Sequence, residues 1–270
     1  MKFGIIAGEG SFPVLVAEHL SKIGGAIYTA AIINHASNEI EKYSHSVLWA
    51  KIGEIRKTIN FFKQNGVEKI ILAGRVRHAD IYSIKPDLTA IKMLAGLPDK
   101  RAATMLKAVC GLFEKEGMSI LSSIEPVKDL AFEEKVYTRA KPSKKEKKDI
   151  DFARRIASKL SGLDIGQTVV VKDGVVVAVE GMEGTDECIL RAARYAGEKT
   201  VIVKLARPEQ DIRFDVPVIG LRTIKKAVEA KAAVVAAEKR RTLFFDRNDA
   251  VKLADDEGIV IVGINAAENV

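Results

Sequence analysis

Short apolar runs alternate with helical patterns along the first half of the chain. The runs that are typical of buried strands cover residues 3–7, 26–33 and 69–73. Helical patterns cover residues 52–65 and 102–116, and another helix begins at Pro13, because proline is favoured in the first helical turn. Strands that alternate with helices form a parallel sheet covered by those helices. The pattern therefore predicts a Rossmann-like parallel-sheet domain over residues 1–135.

Valine-rich runs and further helical patterns fill the second half. Residues 167–171 and 175–180 flank the pair Asp173-Gly174, which is a strong signal for a hairpin. The remaining predicted strands are 200–205, 242–246 and 259–263, and the predicted helices are 149–160, 186–196, 224–237 and 248–257. This order predicts a C-terminal mixed α/β domain over residues 149–270, joined to the first domain by a linker over residues 136–148.

Composition and charge narrow the class of protein. The 270 residues are 47% hydrophobic and 29% charged, which excludes disordered, collagen-like and disulfide-scaffold proteins. Lysine and arginine number 43 against 36 acids, and the net charge of +7 favours anionic partners. The run from Arg139 to Lys148 holds six cations and one acid, and we interpret it as a solvated linker rather than a phosphate site.

The cysteines and the apolar segments bear on cellular location. Cys110 and Cys188 lie far apart, which excludes a disulfide framework and a thiolate zinc site and fits a reducing compartment. The apolar run near Met1 is too short for a signal peptide, and no apolar stretch reaches transmembrane length. We therefore expect a cytoplasmic protein, with peripheral contact at the inner-membrane surface left open.

Two glycine loops follow predicted strands at one edge of the first sheet. The candidate ligand-binding residues are Gly8, Glu9, Gly10 and Ser11 after the first strand, and Gly74 and Arg75 after the third. Open α/β sheets bind ligands at this edge, and a helix N-terminus attracts phosphate. A tight turn and a surface arginine explain the same residues equally well, so both interpretations stay open.

Acidic motifs in the second half offer a different chemistry. Thr185 and Asp186 begin a predicted helix, where capping explains them in part. In an extended segment, Asp211, Arg213 and Asp215 share one face, because alternate residues point the same way. Carboxylates suit Mg²⁺ or Mn²⁺ and a guanidinium suits phosphate, which matches metal-assisted phosphoryl chemistry. A surface Asp–Arg–Asp ladder is the alternative.

Several motifs, in order, resemble the LpxI-type UDP-2,3-diacylglucosamine pyrophosphatases of lipid A synthesis. The motifs are IAGEG with Pro13, GRV at 74–76, TRA at 138–140 with Pro142 and Ser143, GQTVVV at 166–171, VE at 179–180 with EGTD at 183–186, and KLARP at 204–208 running into QDIRFD at 210–215 with Pro217, Gly220 and Thr223. The resemblance spans nearly the whole chain.

The resemblance implies a hydrolase that uses Mg²⁺ or Mn²⁺ and splits its lipid nucleotide into UMP and 2,3-diacylglucosamine 1-phosphate by water attack on the α-phosphorus. It implies two domains with the lipid product between them. It implies that the catalytic aspartate lies in the stretch from Asp211 to Asp215; we favour Asp215, and Asp211 is the alternative. Both are predicted metal ligands. The predicted substrate-binding residues are the two glycine loops, Arg139, Gln167, Thr185, Asp186, Gln210 and Arg213.

Two other functions remain as alternatives. A non-catalytic nucleotide- or RNA-binding module would use the basic run, but no aromatic residue lies between Arg139 and Ile150 to stack on bases, so we expect no nucleic-acid partner. A hydrolase of another sugar nucleotide would share the architecture and act on an unacylated substrate. The sequence leaves the oligomeric state open, and a homodimer is one alternative.

Overall fold

The computed structural model describes residues 1–76, 86–99, 102–163, 165–207, 213 and 216–265. Contacts among the described residues group 1–127 and Arg213 into one compact unit and the remainder from residue 128 into a second. Within this part of the chain, no helix combines the length and apolar character needed to cross a bilayer.

The first unit is built on a five-stranded parallel sheet with the order β3-β2-β1-β4-β5. Its strands are β1 (Lys2–Ala7), β2 (Ala26–Ile32), β3 (Ser46–Ala50), β4 (Lys69–Ala73) and β5 (Ser119–Ile120). Its helices are α1 (Phe12–Lys22), α2 (Ile55–Gln64), α3 (Leu88–Ala95) and α4 (Ala102–Lys115), with 3-10 turns at Asn38–Tyr43 and Glu125–Leu130. The strand order runs from β1 through β2 to β3 on one side and from β4 to β5 on the other, so it changes direction between β1 and β4. Open α/β sheets bind ligands at such a point.

Burial of the central strands explains this arrangement. Ile5 on β1 and Ile71 on β4 are fully buried, as expected of a sheet covered on both faces. Phe62 on α2 and Phe113 on α4 pack against each other, with ring centroids 6.1 Å apart. These helices therefore close one face of the sheet, and the loops at its carboxyl edge are held by rigid elements.

The second unit contains a mixed sheet with the order β12-β10-β8-β6-β7 and a two-stranded parallel sheet, β11-β9. Its strands are β6 (Thr168–Lys172), β7 (Val175–Val179), β8 (Val201–Lys204), β9 (Val218–Ile219), β10 (Val234–Glu238), β11 (Leu243–Phe244) and β12 (Val260–Ile264). Its helices are α5 (Lys144–Gly162), α6 (Thr185–Ala196), α7 (Leu221–Glu229) and α8 (Arg247–Asp256). Strand β6 runs antiparallel to β8, whereas β8, β10 and β12 are parallel.

The predicted fold class is confirmed: a parallel sheet forms the first unit and a mixed α/β sheet forms the second. The predicted hairpin around Asp173 is also confirmed. The predicted helix over 224–237 is wrong, because α7 ends at Glu229 and β10 begins at Val234. Lys231, with a φ of 48°, takes a left-handed conformation that no helix continues through.

The basic run differs from the predicted linker. Ser143 accepts a hydrogen bond from the Glu146 amide while the Glu146 side chain accepts one from the Ser143 amide, so a capping box starts α5 at Lys144 rather than at Asp149. Upstream, residue 136 forms a bridge with Val262 of β12, and the Tyr137 amide donates to the Ile261 carbonyl. Residues 136 and 137 therefore pair with the edge strand β12, and residues 144–148 form the first turns of α5.

Candidate functional site

Two loops meet at the carboxyl edge of the first sheet, between β1 and β4. The Gly8 amide donates to the Ala73 carbonyl at 2.8 Å, and the Glu9 amide donates to the Arg75 carbonyl at 2.7 Å. The Arg75 amide returns a bond of 3.0 Å to the Glu9 carbonyl. The predicted loop residues are thus brought together, but the amides of Gly8 and Glu9 bind the neighbouring loop.

Close packing of the two loops accounts for two of their glycines. A Cβ atom on Gly8 would lie 2.6 Å from the Arg75 carbonyl oxygen, and one on Gly74 would lie 2.8 Å from the Glu9 carbonyl oxygen. Neither position accepts a larger residue without displacing backbone. Gly10, by contrast, has open space around its Cβ position, and Ser11 is exposed beside it at the start of α1. Gly10 and Ser11 are therefore the part of this loop that is open to a ligand.

An apolar cavity of about 250 Å³ lies under these loops within the first unit. Its walls come from the carboxyl ends of four strands and from three helices, and they include Ile6, Leu72, Val76, Leu94, Leu106 and Phe113. Polar side chains contribute little to the lining, with Lys51, Glu54 and Thr58 on one side. A cavity of this character suits a hydrocarbon group rather than a base or a sugar.

A second cluster lies at the carboxyl edge of the second sheet. Its side chains are those of Thr168 at the start of β6, Glu180 after β7, Thr185 at the start of α6 and Lys204 at the end of β8. The register of β6 against β8 places Thr168 opposite Lys204, so one edge of the sheet collects all four. We call these residues the threonine–lysine cluster.

Hydrogen bonds fix the geometry of the threonine–lysine cluster. The Lys204 ammonium donates to Thr185 Oγ1 at 2.9 Å and to the Val218 carbonyl at 3.3 Å. Thr185 Oγ1 donates to Glu180 Oε1 at 2.9 Å, and Glu180 Oε2 accepts from the Gln167 amide at 3.3 Å. The cluster thus places a half-buried cation at the point where the chain leaves β8. A cation held in this way suits a phosphate oxygen.

Two other predicted binding residues of the second unit, Asp186 and Arg139, form ion pairs outside the threonine–lysine cluster. The Asp186 carboxylate accepts a bond of 2.6 Å from Arg222 Nε, which ties α6 to α7. The Arg139 amide donates to Asp255 Oδ1 at 2.7 Å, and its guanidinium lies 3.2 Å from the same carboxylate. The contacts of residues 136–139 with β12 run toward its amino end, opposite to the threonine–lysine cluster. The structure therefore brings Gln167 and Thr185 together and leaves Arg139 apart.

The predicted catalytic segment is described only in part. Gln210, Asp211 and Asp215 lie outside the described residues. Arg213 is described and is grouped with the first unit, where its guanidinium donates to Glu114 Oε1 at 3.1 Å. Among the described residues, no group of three or more His, Cys, Asp or Glu side chains is placed to hold a metal ion. Carboxylates are the donor type that Mg²⁺ prefers, and metal binding by Asp211 and Asp215 stays a prediction.

The residues predicted from the sequence do not include Lys204, Glu238 or Arg241, which lie at this edge of the second sheet. Lys204 belongs to the KLARP motif, and it is the cation of the threonine–lysine cluster. Glu238 and Arg241 were missed altogether: Glu238 ends β10 and is 3% exposed, and Arg241 pairs with it. A charged residue that ends an otherwise apolar run, as in VVAAE at 234–238, was the signal available in the sequence.

Both cysteine thiols are buried, and burial raises the pKa of Cys188 to about 12. The thiolate is the reactive form of cysteine, and at neutral pH almost none of it is present at Cys188.

The fold places this chain among open α/β proteins that present ligand-binding loops at the carboxyl edges of their sheets. The sequence models of the LpxI N-terminal domain and the LpxI C-terminal domain match residues 2–130 and 133–262. A curated relative, "UDP-2,3-diacylglucosamine pyrophosphatase LpxI" of Caulobacter vibrioides, is 32% identical over 99% of both chains. The chain therefore belongs to the LpxI family.

Similarity to solved structures is weak. N5-carboxyaminoimidazole ribonucleotide synthetase from Thermotoga maritima shares 13% identity over 67% of this chain and 41% of its own, with a TM-score of 0.25. The biotin carboxylase domain of Hydrogenobacter thermophilus 2-oxoglutarate carboxylase shares 10% identity over 72% of this chain and 42% of its own, with a TM-score of 0.27. This chain spans about two fifths of each structure, and likenesses at this level support no conclusion about it.

Proposed function

We propose that this protein hydrolyses UDP-2,3-diacylglucosamine to UMP and 2,3-diacylglucosamine 1-phosphate, a step of lipid A synthesis. Family membership over nearly the whole chain and the name of the curated relative support the reaction. The observation that carries the proposal is the apolar cavity in the first unit, because a nucleotide or a free sugar offers nothing to fill it.

The cavity suits one acyl chain of the substrate. Each methylene that moves from water into an apolar site contributes about 0.8 kcal/mol, so a cavity that accepts several methylenes separates acylated from unacylated substrates strongly. Ile6 and Leu72 from the sheet and Leu94 from α3 provide the contact surface. This lining distinguishes the proposed substrate from other sugar nucleotides.

The second unit supplies groups suited to the diphosphate. Lys204 is fixed by Thr185 at the end of β8, immediately before the segment that contains Asp211 and Asp215. A positioned ammonium neutralises phosphate charge as it develops during cleavage. Carboxylates of the following segment provide the base and the ligands that this chemistry requires.

In this proposal, Asp211 and Asp215 carry the hydrolytic step. A divalent ion such as Mg²⁺, when bound by Asp211 and Asp215, supplies charge neutralisation at the phosphates. One aspartate accepts a proton from the attacking water as its oxygen bonds to the α-phosphorus. The bond from that phosphorus to the bridging oxygen breaks, and the bridging oxygen leaves with the sugar 1-phosphate. Water's oxygen therefore ends in UMP.

Site-directed variants test this assignment. We expect Asp215→Asn and Asp211→Asn to lose at least a hundredfold of UMP release while they retain the far-ultraviolet circular dichroism of the parent protein. Asp151→Asn is the matched control, because Asp151 is an exposed helical aspartate in the same unit. If both variants kept full, metal-dependent turnover, the proposed roles of the two aspartates would be wrong.

We also propose that the protein contacts the membrane surface through α3, because its lipid substrate resides there. Leu88 and Ile91 on α3 are 77% and 48% exposed, while Leu94 on the same helix lines the cavity. An exposed apolar face of this kind suits the headgroup boundary of a bilayer. Co-sedimentation with vesicles of a bacterial lipid extract is expected to fall when both residues are changed to Ser. Equal sedimentation of the variant and the parent would refute this contact.

A further inference from the structure

The buried carboxylate of Glu238, at the end of β10, lies beside the point where the chain leaves β8 toward the predicted catalytic segment. Glu238 ends β10, pairs in register with Ile264 of β12, and is 3% exposed. One of its oxygens, Oε2, accepts a hydrogen bond of 2.8 Å from the Ala206 amide. Ala206 lies two residues beyond the end of β8, so Glu238 holds the chain directly after the strand.

An arginine extends this contact to the next residue. Arg241 Nη1 lies 3.5 Å from Glu238 Oε1, and Arg241 Nη2 donates to the Arg207 carbonyl at 2.6 Å. The ion pair thus binds an amide and a carbonyl of two consecutive residues, Ala206 and Arg207. We call Glu238 and Arg241 the root clamp, because segment 208–215 begins directly after the residues that they hold.

Packing alone does not account for the root clamp. The four residues of β10 that precede Glu238 are buried Val and Ala, and an apolar side chain at the last position would avoid the cost of burying a charge. Burial also raises the pKa of the Glu238 carboxyl, because an apolar surrounding disfavours the charged form. A charge retained at such a cost is expected where it fixes one backbone conformation.

We propose that Glu238 and Arg241 are positioning residues: they hold Ala206 and Arg207, and through the chain that continues from Arg207 they position Asp211 and Asp215 for catalysis. The part of this proposal that concerns catalysis rests on the proposed function. A displacement of about 1 Å at a catalytic group reduces the rate by roughly a hundredfold, so even partial loosening is measurable in kcat.

Two conservative variants test the proposal without emptying the site. Glu238→Gln keeps an acceptor for the Ala206 amide and removes the charge that pairs with Arg241. Arg241→Lys keeps the charge and removes the planar fork that reaches both Glu238 and the Arg207 carbonyl. We expect each variant to lower kcat at least tenfold and to leave KM within twofold, with UDP-2,3-diacylglucosamine as substrate and UMP as product.

The matched control is Glu134→Gln. Glu134 pairs with Lys239, the residue after Glu238, at 2.6 Å, but the Glu134 side chain is exposed and this pair has no contact with residues 206–207. We expect this control to retain the parent kcat. A kcat within twofold of the parent in both root-clamp variants, or an equal loss in the control, would overturn the proposal.

Hydrogen exchange provides a readout that needs no substrate. In the ligand-free protein, the peptide covering residues 206–217 is expected to exchange faster in both root-clamp variants than in the parent or the control. A fall in kcat with unchanged exchange would mean that the pair acts by another route and would overturn the proposal. If the parent protein releases no UMP, the proposed function fails, and exchange alone decides whether the pair holds this segment.

Discussion

Partly filling the apolar cavity with Leu94→Trp is expected to weaken the preference for an acylated substrate. Leu94 lies on α3 and lines the cavity of about 250 Å³. The indole side chain exceeds the leucine side chain by the volume of roughly two methylene groups, each worth about 0.8 kcal/mol on transfer from water. The variant should therefore lose about 1.6 kcal/mol of acyl-chain binding, which is roughly a 15-fold fall in kcat/KM.

The assay compares kcat/KM for UDP-2,3-diacylglucosamine with kcat/KM for the unacylated UDP-glucosamine. Leu94→Trp should lower the first value and leave the second within threefold, because the cavity does not hold the nucleotide. Ala95→Trp is the control: its neighbouring position on α3 is exposed and lies outside the cavity lining. A parallel fall in both values, or an unchanged value for the acylated substrate in a folded variant, would refute the assignment of the cavity.

Three further predictions concern stability. Gly8→Ala should destabilise the protein by at least about 1 kcal/mol in urea unfolding, because the added Cβ atom meets the Arg75 carbonyl. Gly111→Ala is the control: Gly111 lies inside α4 with open space for a Cβ atom, so this variant should stabilise the protein by about 0.5–1 kcal/mol. The buried Asp149 carboxylate accepts hydrogen bonds from the Asp173 and Gly174 amides at 2.9 and 2.8 Å. Asp149→Ala should therefore lower the free energy of unfolding by about 3 kcal/mol. The exposed control, Asp151→Ala, should lower it by no more than about 0.5 kcal/mol. Folding raises the pKa of the Glu238 carboxyl, so the folded protein binds a proton at Glu238 more tightly than the unfolded chain does. Protonation of Glu238 therefore stabilises the folded state at low pH. This stabilisation is lost as the pH rises from the ordinary carboxyl range through the raised pKa. The stability of the parent protein relative to Glu238→Gln should therefore be greater at pH 4 than at pH 7, and a difference that is independent of pH would contradict the shift.

The strands of both sheets could be predicted where an apolar run was bounded by glycine or by a turn pair. Residues 3–7 and 69–73 are examples, because Gly8 and Gly74 end them. Strand β3 was missed, since SVLWA sits at an edge of the sheet and its residues are mostly half-buried. The alanines of 227–237 predicted one long helix because alanine has the highest helix propensity, but burial in a parallel sheet overrides that preference in β10.

The candidate site was predicted where a motif coincides with a strand end. Thr185 and Gln167 follow that rule, and both lie beside Glu180. Arg139 does not: the family resemblance predicted that it binds substrate, but its partner Asp255 is distant in sequence and became apparent only in the fold. The partnership of Glu238 with Ala206 is likewise a contact across adjacent strands, and no local spacing in the sequence encodes it.

The central claim is that the protein directs water onto the α-phosphorus of UDP-2,3-diacylglucosamine. Turnover in ¹⁸O-labelled water, with Mg²⁺ in one sample and EDTA in the other, followed by mass spectrometry of both products, tests it directly. The account predicts one ¹⁸O atom in UMP, none in the lipid phosphate, and no UMP in EDTA. Label in the lipid phosphate would contradict attack on the α-phosphorus, and the absence of UMP from the folded protein in Mg²⁺ would contradict the proposed reaction.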